Sequence, residues 1–187
     1  MTDATPLIFL GICGSLRKAS FNRAALRAAA DLLPEGVGLK VAGIEDIPLY
    51  NGDVEAQGLP ASVQALRAEI KAADALLICT PEYNYSIPGV LKNAIDWASR
   101  PPEQPFAGKP IALMGASPGM LGTARSQYHL RQAFIFLDGK ILNRPEVMIA
   151  AASSKFGADG RLTDEPTRQA IAAMLASLKA WTLQLRG

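Results

Sequence analysis

Ala75-Leu76-Leu77-Ile78-Cys79 runs through Thr80 into Pro81-Glu82-Tyr83-Asn84-Tyr85-Ser86-Ile87-Pro88-Gly89. The first five residues form an uninterrupted apolar run, the pattern of a strand buried on both faces of a sheet. Two prolines and a glycine then keep the backbone out of helix and strand. A helical pattern resumes over Val90 to Ala98. A loop of this kind leaves main-chain N–H and C=O groups free at the carboxyl end of a strand, where open α/β sheets place their ligands. Its two tyrosines and asparagine suit a flat, aromatic, hydrogen-bonding ligand, which points to a cofactor.

The same alternation continues on both sides. Strands are expected at Leu7–Ile12, Leu39–Ala42, Ala75–Cys79, Pro110–Gly115 and Glu146–Ala150. Helical spacing covers Asn22–Leu33, Ser62–Ala73, Pro88–Ala98 and Thr123–Phe136. A last helix near Pro166–Leu185 repeats Ile171, Met174, Leu175, Leu178, Trp181 and Leu185 on one face, with Asp164 or Thr163 as its cap. Strand-helix alternation predicts a parallel sheet covered by helices on both faces. Five strands fit the order 2-1-3-4-5, which brings the tips of strands one, three and four together.

With 187 residues and 49% hydrophobic content, the chain can bury a proper core as a single domain over 1–187. A formal charge of +2, from 19 basic and 17 acidic residues, makes no case for nucleic acid or an anionic membrane as partner. No apolar run reaches membrane-spanning length, and Met1–Pro6 lacks a basic region ahead of an apolar one, so no secretory signal is expected. Cys13 and Cys79 both fall in apolar strands and read as buried, reduced thiols, which fits the cytoplasm.

Two further loops carry ligand-like chemistry. After the first strand comes Gly14-Ser15-Leu16-Arg17-Lys18-Ala19-Ser20-Phe21-Asn22. Gly14 permits a sharp turn, Ser15, Ser20 and Asn22 bring donors, and Arg17 brings a fork suited to phosphate oxygens. The helix that follows would aim its N–H groups and positive dipole end at the same anion, so one phosphomonoester fits. A plainer reading stands beside it: Arg17 and Lys18 are solvated charges and Ser20 only caps a helix. After the fourth strand, Gly115-Ala116-Ser117-Pro118-Gly119 allows close approach to a ring edge, with N–H donors at Ser117 and Gly119, or it is an ordinary strand-to-helix turn. No G-x-x-x-x-G-K-[ST] or G-x-G-x-x-G pattern occurs, so triphosphate and dinucleotide loops are not indicated. One histidine and two separated cysteines give no metal cluster.

Read together, Gly14–Asn22 (GSLRKASFN), Pro81–Trp97 (PEYNYSIPGVLKNAIDW), Phe106–Pro110 (FAGKP) and Gly115–Gly119 (GASPG) resemble the NAD(P)H-dependent FMN reductase family of flavodoxin-like proteins, which includes quinone- and chromate-reducing members. The resemblance runs from about Leu7 to Gly122. It implies a flavodoxin-like three-layer sandwich on a five-stranded parallel sheet, and an enzyme using FMN and NAD(P)H. Ser15, Arg17, Ser20 and Asn22 would hold the FMN phosphate, with Phe21 beside them. Pro81, Glu82, Tyr83 and Asn84 would line the ribityl chain and ring through backbone groups. Tyr85 would sit at the open face, and Ser117 and Gly119 would meet the far ring edge. A homodimer or homotetramer is implied, with contacts through the helices over 90–97 and 123–136.

On this reading the flavin carries hydride from NAD(P)H to small acceptors such as quinones, free flavins, chromate or azo and nitro compounds, in ping-pong fashion. No catalytic side chain is needed, and His129 is expected at a surface or interface. Arg125, Tyr128, Arg131 and Glu146 form either a polar network, with the arginines possible partners of an NADPH 2′-phosphate, or a solvated helix face. The competing functions are a non-enzymatic electron carrier and a flavin-binding regulatory module.

Overall fold

A computed structural model describes residues 6–186. Residues 1–5 of the N-terminal stretch, on which the absence of a secretory signal was read, lie outside the described residues. The chain runs β1 (Leu7–Cys13), α1 (Phe21–Ala30), β2 (Val37–Ala42), α2 (Gly52–Glu55), α3 (Ala61–Ala72), β3 (Ala75–Cys79), α4 (Gly89–Ala98) and β4 (Pro110–Ala116). It continues as α5 (Ala124–Phe136), β5 (Lys140–Ile141), β6 (Val147–Ile149), a single 3-10 turn (Ala152–Ser154) and α6 (Glu165–Arg186). Each expected strand and helix is present, with ends moved by a few residues. α6 starts where anticipated because the Asp164 carboxylate accepts the Thr167 N–H at 3.0 Å, an N-cap.

The strands pair in parallel in the order β2-β1-β3-β4-β5, so β1 and β4 flank β3 as the alternation predicts. The fifth position differs in detail. Lys140 and Ile141 pair with Pro110 and Ile111, and the expected segment at 147–149 pairs further up the same strand, with Met114 to Ala116. Between the two pieces lies Pro145, which has no N–H for a ladder.

Side chains alternate across the sheet and so divide the core in two. Phe9, Cys13, Leu77, Cys79 and Met114 face α1 and α6, where Ile171, Met174, Leu175 and Leu178 are fully buried. Leu10, Ile12, Leu76, Ile78 and Leu113 face α3, α4 and α5. This is a three-layer α/β/α sandwich. β3 lies in the middle, with every residue buried, which is why its sequence is apolar throughout. No helix among the described residues is long and apolar enough to cross a membrane.

The turn from β4 into α5 depends on close backbone packing at Gly122. Its φ is +52°, and a Cβ there would lie 2.5 Å from the Met148 carbonyl carbon of β6. Gly122→Ala should therefore cost about 2–4 kcal/mol, from left-handed strain plus a backbone clash. Thermal unfolding should show the melting temperature lowered by roughly 5–10 °C. An unchanged melting temperature would show that this turn is not held as described.

Candidate functional site

The loops after β1, β3 and β4 meet at the carboxyl edge of the sheet and enclose one cleft. It is lined by Ser15, Arg17, Ser20, Phe21, Asn22, Pro81, Glu82, Tyr83 and Ser117, together with Ala116 and Pro118. Of the residues singled out from sequence, Asn84, Tyr85 and Gly119 lie outside that lining, on the rim loops.

The first loop supplies the donors. Gly14 N–H is spent on the Cys79 carbonyl at 2.9 Å, but the amides from Ser15 to Phe21 have no protein acceptor among the described residues. Ser15 and Ser20 are buried, while Arg17 and Lys18 are exposed without a carboxylate partner among the described residues. Ser20 does cap α1, accepting from Asn22 N–H at 3.2 Å and Arg23 N–H at 3.3 Å, and its own hydroxyl proton remains to be donated. Gly14 sits in close packing: a Cβ would lie 3.0 Å from the Leu91 side chain and 3.2 Å from Pro81. The enclosed volume is 90 Å³, about that of three water molecules. The cleft is open toward the rim loops. Unspent N–H groups, hydroxyls, a free guanidinium and a helix N-terminus are the donor set that a phosphomonoester requires.

Asn22 has another role than the one expected of it. Its side-chain N–H donates to the Ala116 carbonyl at 2.9 Å, and its side-chain oxygen accepts the Ala116 N–H at 2.8 Å and the Cys79 thiol at 3.5 Å. The carboxamide oxygen and one of its two N–H groups are spent inside the fold, and the second N–H remains beside the cleft that Asn22 lines. Its function is to fasten α1 to the end of β4.

The third loop also departs from expectation. Ser117 N–H donates to the Ile149 carbonyl at 3.0 Å, and Gly119 N–H donates to the Ser117 hydroxyl at 3.1 Å. Neither amide is free for a ring edge. The Ser117 hydroxyl proton remains available in the cleft lining, while β6 takes the Ser117 N–H.

The second loop is a tight turn. Tyr83 and Ser86 exchange N–H···O bonds at 3.2 and 3.0 Å, and Asn84 and Tyr85 both have positive φ, 49° and 67°. That geometry suits asparagine and strains tyrosine. Arg125 compensates. Its guanidinium lies 3.4 Å from the centre of the Tyr85 ring, and its Nε donates to Glu82 Oε1 at 2.6 Å. Glu82 Oε2 also accepts the N–H groups of Arg125 and Ser126, at 3.0 and 3.3 Å. It thereby caps α5, whose own Thr123 makes no cap bond. Tyr83 and Tyr85 stay 48% and 68% exposed, offering aromatic faces beside the cleft.

The proposed polar cluster is thus two networks. Arg125 belongs to Glu82 and Tyr85. Tyr128 donates to Glu146 at 3.4 Å, and Arg131 reaches Glu146 at 3.8 Å while donating to the Leu142 carbonyl and Asn143 at 3.2 Å. Arg125 spends its Nε on Glu82, and Arg131 spends its terminal nitrogens on Leu142, Asn143 and Glu146. His129 is exposed and joins Ser86 Oγ at 2.9 Å. Burial pushes the Cys79 thiol well above the ordinary range. The Cys13 thiol is raised by the same cause, against the opposing pull of the Ser15 backbone and the Arg23 charge.

Residues 8–154 match the family described as NADPH-dependent FMN reductase. This chain belongs to that family. It is 59% identical over 178 residues to an NAD(P)H-dependent FMN reductase of Pseudomonas aeruginosa, covering 95% of this chain and 96% of the relative. It is 47% identical over 191 residues to an NAD(P)H:quinone oxidoreductase of Solanum tuberosum, covering 98% and 97%. Among solved structures it resembles the flavoenzyme NAD(P)H:(acceptor) oxidoreductase FerB of Paracoccus denitrificans, with a TM-score of 0.86, 36% identity and coverage of 95% and 98%.

In this family member the cleft's shape rests on Asn22. Asn22→Ala leaves the buried Ala116 N–H and carbonyl unpaired, at roughly 1–3 kcal/mol each, so urea unfolding should show a loss of about 2–6 kcal/mol. Asn22→Asp, which keeps an acceptor for the Ala116 N–H, should fall between. Equal stability of all three proteins would remove the fastening role.

Proposed function

We propose that this chain, a single domain over 1–187, binds FMN in the cleft and acts as an NAD(P)H-dependent reductase of quinones. Free flavins, chromate and azo or nitro compounds are further acceptors. One observation carries the reading: the donors left unspent by the fold cluster in a space sized for a phosphate, beside an open aromatic rim. The names of the relatives support the chemistry.

On this reading the amides from Ser15 to Phe21, the Ser15 and Ser20 hydroxyls and the Arg17 fork hold the FMN phosphate. Asn22 holds the loop. Pro81 to Asn84 line the ribityl chain and ring through main-chain groups, and Tyr85 stands at the open face in the posture that Arg125 and Glu82 impose. The Ser117 hydroxyl meets the far side of the cleft. Bound FMN supplies the redox step, taking hydride from NAD(P)H and passing the electrons to an acceptor. The protein's task is to position and to exclude. No side chain serves as acid, base or nucleophile. Because one open face serves both substrates in turn, the kinetics are ping-pong.

A homodimer or homotetramer is part of the proposal. Ile135 and Phe136 at the end of α5 are 77% and 89% exposed, and Met120 at the cleft rim is 83% exposed, more apolar surface than an isolated chain favours. Two buried thiols support a cytoplasmic location.

The purified protein should be yellow, bleach on anaerobic addition of NADPH and recover its colour with a quinone. Arg17→Ala should weaken FMN binding by about 1.5–3 kcal/mol, roughly ten- to hundred-fold. A colourless protein, inert even with added FMN, would contradict the function. Unaltered affinity in the variant would move the phosphate elsewhere.

A further inference from the structure

A second cavity lies behind the Ser15–Ser20 loop, at the carboxyl ends of β1 and β2. It encloses 190 Å³ and shares no lining residue with the cleft. Consecutive residues face opposite ways: Arg17 and Asn22 line the cleft, while Leu16 and Arg23 line the cavity. Its walls are mixed: Leu26 and Ile44 are buried, Leu16 and Val41 are exposed at 43% and 61%, and Cys13, Arg23 and Glu45 add polar surface.

Arg23 is the feature without an account. Its Nε is wholly buried and has no hydrogen-bond partner among the described residues. A guanidinium N–H removed from water and left unpaired is costly, and buried donors are ordinarily satisfied. The nearest candidate anion in the lining is diverted: the exposed Glu45 turns its carboxylate onto the Ile44 N–H at 2.9 Å. The cavity's other polar side chain, Cys13, is a donor to the Ser15 carbonyl at 3.6 Å.

We propose that this cavity binds a small organic carboxylate, with its planar head on Arg23 and its apolar body against Leu16, Leu26, Val41 and Ile44. A guanidinium fork presents parallel donors that match a carboxylate. A guanidinium beside four aliphatic side chains suits an anion with an apolar body better than a bare ion. The volume equals that of about six water molecules, enough for one ring or a short chain. Inorganic phosphate would satisfy Arg23 and leave the apolar wall unused.

Sodium benzoate is the probe, titrated into the protein as purified and followed by methyl NMR, a readout that needs no flavin. Saturable shifts are expected at the Leu26, Val41 and Ile44 methyls. Benzamide should bind about tenfold more weakly or worse, as should benzoate to Arg23→Gln, each lacking a charged partner. Val41→Trp, which fills the cavity from its exposed edge and leaves Arg23 intact, should abolish the shifts in a folded protein. Absence of saturable shifts, equal binding by Arg23→Gln, or tighter binding of inorganic phosphate than of benzoate would each overturn the proposal. So would loss of bound flavin in Arg23→Gln, since Arg23 would then belong to the first cleft.

Discussion

The Asn22 carboxamide, lying between the first turn of α1 and the last residue of β4, sets the geometry on which the site depends. It pairs with both polar groups of the Ala116 main chain, as a neighbouring strand would, at the point where the sheet ladder is running out. The Cys79 thiol beneath it completes the contact across β3. One side chain thus fixes the relative positions of the three loops that follow β1, β3 and β4. With the carboxamide engaged, the loop from Ser15 to Phe21 has no internal acceptor for its amides, and those groups remain available for an anion.

The opposite wall is held by a different device. Tyr85 occupies a backbone conformation that tyrosine disfavours, and it is kept there by Arg125 on its ring and Glu82 beneath Arg125. Because Glu82 also caps α5, the rim turn and the helix start form one unit. The two walls therefore differ in character. One offers hydrogen-bond donors at depth, and the other offers aromatic surface at the rim. A ligand with a phosphate at one end and a planar ring at the other matches that division.

Much of this was legible in the sequence. β3 and its loop are readable because an unbroken apolar run followed by Pro81, Pro88 and Gly89 admits few structures. The strand order follows from alternation, and α6 follows from the spacing of Ile171, Met174, Leu175 and Leu178. β5 was not legible, because two residues carry no periodicity. The fastening by Asn22 was not legible because a polar side chain at a helix start looks the same whether it serves a ligand or a neighbouring main chain. Ser117 and Gly119 were misread because the acceptor of an amide is set by tertiary position, here Ile149 and the Ser117 hydroxyl. Arg125 depends on Glu82, 43 residues earlier, a pairing that local pattern does not contain.

The central claim is that the unspent donors of the first loop recognise a phosphate while the ring lies at the open rim. Its most direct test compares FMN with riboflavin, which lacks the phosphate, by fluorescence titration of flavin-free protein. The account predicts that FMN binds at least about a hundredfold more tightly, since several charge-assisted bonds are at stake. Equal affinity for the two flavins would contradict it.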